Sequence, residues 1–295
     1  MIDESKIDAL IKLIDDPSDE VFSMVFQEFE KQDVAVVSQL EKAWENSSDQ
    51  FFQQRIEELI HRIQFNDVYS ELTKWYADGA VDLLFGAFLI CKFQYPGLDY
   101  SWIEKQINEL RKDVWFELSE TLNSIEKVRV LNHIFFETHK YVRNNINILA
   151  AENNFISEVL LTKKGNPVAL SIIYSVVAQR LGIPLYGVNL PKNFILAYLD
   201  IDKVDENTIP DGNVLFYVNP INKGAVLGRK EIEFFLRQQK IIPQSSFFIP
   251  CKSNDEVIIR LLNNLAFSYE TANDQDKLTE ISKLLSIFNK SRYHL

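Results

Sequence analysis

The stretch "KKGNPVALSIIYSVVAQRLGIPLYGVNLPKNF", Lys163 to Phe194, decides how the chain is read. Gly165 and Asn166 open an apolar helix, and Pro167 suits its first turn, because proline's fixed φ is helical and its missing N–H has no intrahelical partner there. Asn166 is placed to cap it. The helix ends near Leu181 at a Gly182-Ile183-Pro184 turn, and a strand then runs into Pro191-Lys192-Asn193-Phe194.

Downstream, "PLYGVNL", "NFILAYL" and "VLFYVNP" are rich in β-branched and aromatic residues and are separated by turn residues, Pro191 and "IPDGN" among them. They read as strands of a small antiparallel sheet packed on the Asn166–Leu181 helix. The expected fold class is therefore α+β and mainly helical.

Upstream the chain is helical throughout. Ile7, Leu10, Ile11 and Ile14 fall at helical spacing, Pro17 and its acidic neighbours start a second helix with Val21, Val25 and Phe29, and a third carries Val36, Val37, Leu40 and Trp44. The helix–turn–helix around "DDPSDEV" resembles a single HEAT-type unit, with no periodic array behind it. Leu83, Leu84, Phe88 and Leu89 are expected in the core. "YPGLDYSW" breaks the pattern and suggests a boundary at Pro96 and Gly97. Helices over "WIEKQINELRKDVWFELSETL" and "SIEKVRVLNHIFFETHKYV" follow, the latter with a partial capping box of Ser124 and Lys127. "NNINILAAENNF" reads as a loop. At the end, Leu261, Leu262, Leu265 and Phe267 are expected to face Leu278, Ile281, Leu284 and Leu285 across a hairpin that resembles one tetratricopeptide unit. The expected organisation is a helical, HEAT-like region 1–96, an α+β core 97–252 and a TPR-like helical hairpin 253–295.

Composition limits the function. An apolar share of 46% in 295 residues can build a sizeable core. Thirty-one basic against 42 acidic residues leave a net charge of −11, which repels phosphate backbones and anionic lipid. Neither nucleic acid nor a membrane is expected as a partner. Cys91 and Cys251 stand in no disulfide or zinc spacing and are expected to pack as small apolar residues. The first residues lack the basic and apolar regions of a secretory signal, and the longest apolar run, Leu83 to Cys91, is about half of the roughly 20 residues a membrane span needs. A cytoplasmic protein is the expectation. His133 and His139 are six apart, on different helix faces, and with His61 and His294 follow no ligand spacing; no metal and no cofactor is expected.

The run "KKGNPVALSIIYSVVAQRLGIP" resembles the nucleophile helix of the transglutaminase-like superfamily, "NLPKNF" is similar to the Pro-Gly-His-Phe strand start of its SirB1 branch, and "YVNP" resembles its Asp-Pro. The likeness extends over nearly the whole chain and implies a papain-like core. It also implies where a Cys-His-Asp triad would stand: Pro167 for the cysteine, Asn193 for the histidine and Asn219 for the carboxylate. Two equal intervals of 26 residues separate them, 167 to 193 to 219.

None of the three residues can do the corresponding chemistry. That chemistry needs a thiolate at a helix start, a base to take its proton and a carboxylate to orient the base. Proline has no nucleophile, and an asparagine is neither base nor anion near neutral pH. Ser171, one turn after Pro167, has no base or orienter assigned to it, and a helical serine commonly bonds to the backbone. Asn166, Asn193, Asn219 and Phe194 could line a pocket for a neutral polar ligand or a peptide; the simpler expectation is that Asn193 and Asn219 hydrogen-bond each other. The resemblance thus points to a non-catalytic protein acting through a protein or peptide partner. A hydrolase of amidase or peptidase type reusing the cleft with other residues is the alternative, and a purely architectural module the third.

Overall fold

The computed structural model describes residues 4–201 and 213–290. The "IPDGN" turn, except its last residue, and His294 lie outside them. The chain forms two compact units, residues 1–73 and 74–295. This division falls ahead of the Pro96–Gly97 turn, which lies inside the second unit.

The first unit holds α1 (Glu4–Leu13), α2 (Asp19–Phe29), α3 (Val37–Glu45) and most of α4 (Gln50–Ala77). Ile7, Ile14, Val25, Phe29, Leu40 and Ile56 form its core. Ser18 caps α2 by accepting the Val21 N–H at 3.4 Å. A buried charge closes the α1–α2 corner: Arg55, between the rings of Phe22 and Phe51, donates Nη1 to the carbonyls of Ile14 (2.9 Å) and Asp16 (2.6 Å) and Nη2 to Asp19 (3.0 Å). Trp44, one of the apolar residues the third helix carries, is 37% exposed, because its Nε1–H donates to Glu57 and holds the ring edge at the surface.

In the second unit come α5 (Leu83–Gln94), α6 (Tyr100–Glu117) and α7 (Ser124–Asn132), then β1 (Val142–Arg143), α8 (Ile156–Thr162) and β2 (Lys164–Gly165). The cap of α7 is a full capping box one residue earlier than expected. Asn123 accepts the Glu126 N–H while the Glu126 carboxylate accepts the Asn123 N–H. Nor does that helix run on to Val142. It widens into a π-type turn over His133–Thr138, and Val142 and Arg143 instead pair in parallel with Lys164 and Gly165.

Next is α9 (Pro167–Gln179), buried without a break from Val168 to Ala178. It packs on α5, α6 and α8. The sheet follows: β3 (Leu185–Val188), β4 (Ile195–Asp200), β5 (Asn213–Asn219) and β6 (Ala225–Leu227), paired antiparallel in sequence order. The fourth strand was not anticipated. Alternate residues of β4 divide between two layers. Ile195, Ala197 and Leu199 meet Ile232 and Leu236 of α10 (Arg229–Gln238), so their neighbours Leu196 and Tyr198 turn toward α9. Burial on both faces is why β4 reads as a continuous apolar run. Two helices, α11 (Asn254–Ala272) and α12 (Gln275–Lys290), form the expected hairpin, and α11 also packs on α5 and α9. Phe267 is not in its core but 54% exposed, since the buried stripe runs through Leu261, Leu265, Ser268 and Tyr269 and residue 267 falls outside that spacing.

Two polar contacts fix α9. At its end Arg180 makes a bidentate pair with Glu104 of α6, at 2.7 and 2.8 Å. Along it the buried Tyr174 hydroxyl donates to Asn132 Oδ1 (2.8 Å), and Asn132 Nδ2 donates to the Gly224 carbonyl (2.9 Å) in the β5–β6 turn. Gly224 has φ +68°, and a Cβ there would run into the Asn132 side chain. Gly224→Ala is therefore expected to lower stability by about 2–4 kcal/mol in urea unfolding. The Arg180 guanidinium holds the Glu104 carboxyl below its ordinary 4.5. A carboxylate lowered by folding stabilises above its unfolded pKa and loses that contribution as the pH falls through the folded value. Urea midpoints should therefore fall as the pH drops below about 4.5, and Glu104→Gln should remove part of that dependence.

Candidate functional site

The site begins with the cap of α9. Asn166 Oδ1 accepts the Ala169 N–H at 2.9 Å, as expected of a cap residue, while Pro167 occupies the first helical position. Asn166 is itself held by the segment read from sequence as a plain loop. Its N–H donates to the Asn153 carbonyl (3.0 Å) and its Nδ2 to Asn154 Oδ1. Asn153 is held in turn by Asn144 Nδ2 (2.9 Å) and donates to the carbonyl of Asn147 (2.6 Å). Asn153 and Asn154 are buried in a short helical turn, Ala151–Asn154. The only sequence signal for this lattice is the density of asparagine in "NNINILAAENNF". Amides can donate and accept at once, which suits them to a buried helix start.

The three positions singled out by the resemblance fall on two cavities that share Asn193 as a lining residue. Pro167 and Asn193 line one of about 200 Å³. Asn193 and Asn219 line another of about 340 Å³, beside Phe234 and Phe235 of α10. The two amides do not bond each other. Asn193 Oδ1 accepts the N–H of its own neighbour Phe194 at 2.8 Å, and Asn219 Oδ1 is buried without a hydrogen-bond partner. The expectation of a closed asparagine pair is thereby corrected: the Asn193 oxygen is taken up by its own neighbour's N–H, and the Asn219 oxygen receives no donor. Phe194 is buried and still lines the first cavity; a Cβ at Gly187 would run into its ring, which is why that strand position is glycine.

Ser171 is fully buried and donates to the Pro167 carbonyl at 2.7 Å, so its hydroxyl is turned along the helix. Both cysteines are buried, and burial pushes the Cys91 thiol up to about 11 and the Cys251 thiol up to about 12. His139 Nε2 lies 2.8 Å from Asp113 and His133 Nδ1 lies 3.0 Å from Glu137, and none of these four residues lines either cavity. The ionisable groups of the first cavity are Arg143, Lys192 and Arg260; among the described residues the second holds one, Glu231, whose carboxylate accepts the Gly228 N–H at 2.6 Å. No acid–base pair within hydrogen-bond reach lines either cavity among the described residues. Among the described residues no group of His, Cys, Asp and Glu could hold a metal ion, and no helix is long and apolar enough to cross a membrane. Arg143 and Arg260 escaped the sequence reading, because they come from β1 and α11 and nothing local marks them as neighbours of Pro167.

Known proteins place this architecture. A family model described as the transglutaminase-like superfamily matches residues 101–263, more than half of the 295 residues. The chain belongs to the transglutaminase-like superfamily. Among the proteins similar to this chain, the UPF0162 protein of Xylella fastidiosa (strain 9a5c) is 24% identical over 210 residues, 68% of this chain and 69% of that one. The UPF0162 protein YchA of Escherichia coli (strain K12) is 26% identical over 211 residues, 69% and 72% of the two chains. The human F-box only protein 21 is 29% identical over 108 residues, 37% of this chain and 17% of its own. No solved structure matches the chain.

Removing the cap side chain tests how the site is built. Asn166→Ala is expected to cost about 1–2 kcal/mol, measured by urea unfolding, because it frees the Ala169 N–H and strands the buried Asn154 oxygen.

Proposed function

We propose that this transglutaminase-like protein is non-catalytic and acts by binding a protein or peptide, with the SirB1-type triad positions replaced. One observation carries the reading: at Pro167, Asn193 and Asn219 there is no nucleophile, no base and no carboxylate. The nearby hydroxyl of Ser171 is engaged with the Pro167 carbonyl, and the thiols are buried with raised pKa values, the reverse of what an activated nucleophile needs. What lies open at the start of α9 is a cleft lined by amides, cations and apolar side chains. Peptides offer backbone groups to amides and side chains to apolar walls. The related stretch is also part of a much longer chain in the human F-box only protein 21, consistent with a module that works beside other parts. We place the protein in the cytoplasm, where its acidic charge favours solubility.

The purified chain is expected to hydrolyse a panel of activated esters and peptide amides no faster than buffer. Turnover above buffer that disappears in Asn193→Ala or Ser171→Ala would overturn the non-catalytic reading. Neither thiol of the native protein is expected to react with a thiol reagent at mildly alkaline pH, and both should react after denaturation, as followed by absorbance.

A further inference from the structure

The cavity at the start of α9 has a charge pattern opposite to that of the whole chain. The protein carries a net −11, yet three cations, Arg143, Lys192 and Arg260, line this cavity, and no carboxylate among the described residues does. Arg143 and Lys192 make no side-chain hydrogen bond or ion pair with the described residues. Arg260 is bonded to neutral groups alone, through Nη1 to Asn189 Oδ1 at 2.6 Å and through Nη2 to the Asn193 carbonyl at 3.3 Å, and its Nε is buried without a partner. Burial lowers its pKa, which means the charged form is held against a desolvation cost. A partly buried cation with no counter-charge gains from an anion brought in from outside.

The helix adds a favourable field. Asn166 takes the Ala169 and Leu170 N–H groups through its side chain and its carbonyl, at the positive end of a 13-residue helix whose residue Val168, fully buried, lines the cavity. Lys192, at the mouth, holds a left-handed φ of +59°, a conformation that costs a lysine about 1 kcal/mol and a glycine nothing. Beside these polar groups stand exposed apolar side chains of the same cavity, Ile148, Leu149 and Phe267.

We propose that this cavity recognises the free C-terminal carboxylate of a peptide whose last residue is apolar. The proposal rests on the peptide-binding reading and names the group that such a partner presents. Arginine forks and a helix N-terminus suit a carboxylate, the apolar wall suits the side chain next to it, and about 200 Å³ accommodates both but little more.

The test uses the full chain, immobilised, with a fluorescein-labelled peptide pool that is random except for a terminal leucine, offered as the free acid and as the C-terminal amide. The acid pool should be retained at least about tenfold better than the amide pool, since only the acid offers charge-assisted bonds. Arg143→Gln should cut that retention severalfold with the thermal midpoint unchanged. Lys192→Gly should also cut it while raising the midpoint, because it relieves the left-handed strain. Equal retention of acid and amide would overturn the carboxylate assignment while leaving peptide binding standing. Acid retention unaffected by both variants would overturn the assignment to this cavity. If neither pool is retained but inorganic phosphate raises the midpoint in an Arg143-dependent way, the site is a small-anion site and the peptide reading fails with the proposal. Retention of neither pool and no effect of phosphate would sink both.

Discussion

A helix buried on every side constrains everything around it. From Val168 to Ala178 no residue of α9 reaches solvent appreciably, so the contacts that hold it come from α5, α6, α8, α11 and the strands β1, β3 and β4 at once. Each large apolar side chain fully buried in this way contributes roughly 1.5–3 kcal/mol. The free N–H and C=O groups at the helix ends are met largely by protein partners. The asparagine lattice meets them at one end. The Arg180–Glu104 pair fixes the other, with Gln179 donating to the Leu185 carbonyl as the chain turns into β3.

The chemistry of the site follows from how the first end is closed. Amides donate and accept at once, and Asn153, Asn154 and Asn166 close the helix start here. A helix start of this kind lowers the pKa of a thiol placed on it. The first helical position here holds Pro167, a residue that helps the helix begin and has nothing to ionise. The same electrostatic asymmetry is left to act on whatever enters the neighbouring cavity, and the three cations lining that cavity act in the same direction.

Local reading succeeded where neighbours in sequence are also neighbours in space. The α9 boundaries, the Asn166 cap, three of the strands and the terminal hairpin all depend on periodicity and turn residues within short windows. It was less successful at ends and exceptions. The capping box of α7 began one residue early, and strand β6 was too short, at Ala225–Leu227, to show an alternation. Phe267 was expected to face the partner helix, whereas its position off the buried stripe brought it out. The bond expected between Asn193 and Asn219 was a guess about distance that no spacing could support.

The sequence alone determined the mainly helical α+β class, the apolar helix running from Asn166 to about Leu181 with its cap, and the absence of ionisable side chains at 167, 193 and 219, because each depends on the identity of residues at fixed local positions. The tertiary structure alone decided that Pro167 and Asn219 open on different cavities and that "NNINILAAENNF" is the scaffold of the helix start. It also brought Arg143 from β1 and Arg260 from α11 to one wall beside Lys192. Such meetings depend on how helices and strands pack across more than a hundred residues of chain, and packing is a property of whole surfaces that no short window of residues carries.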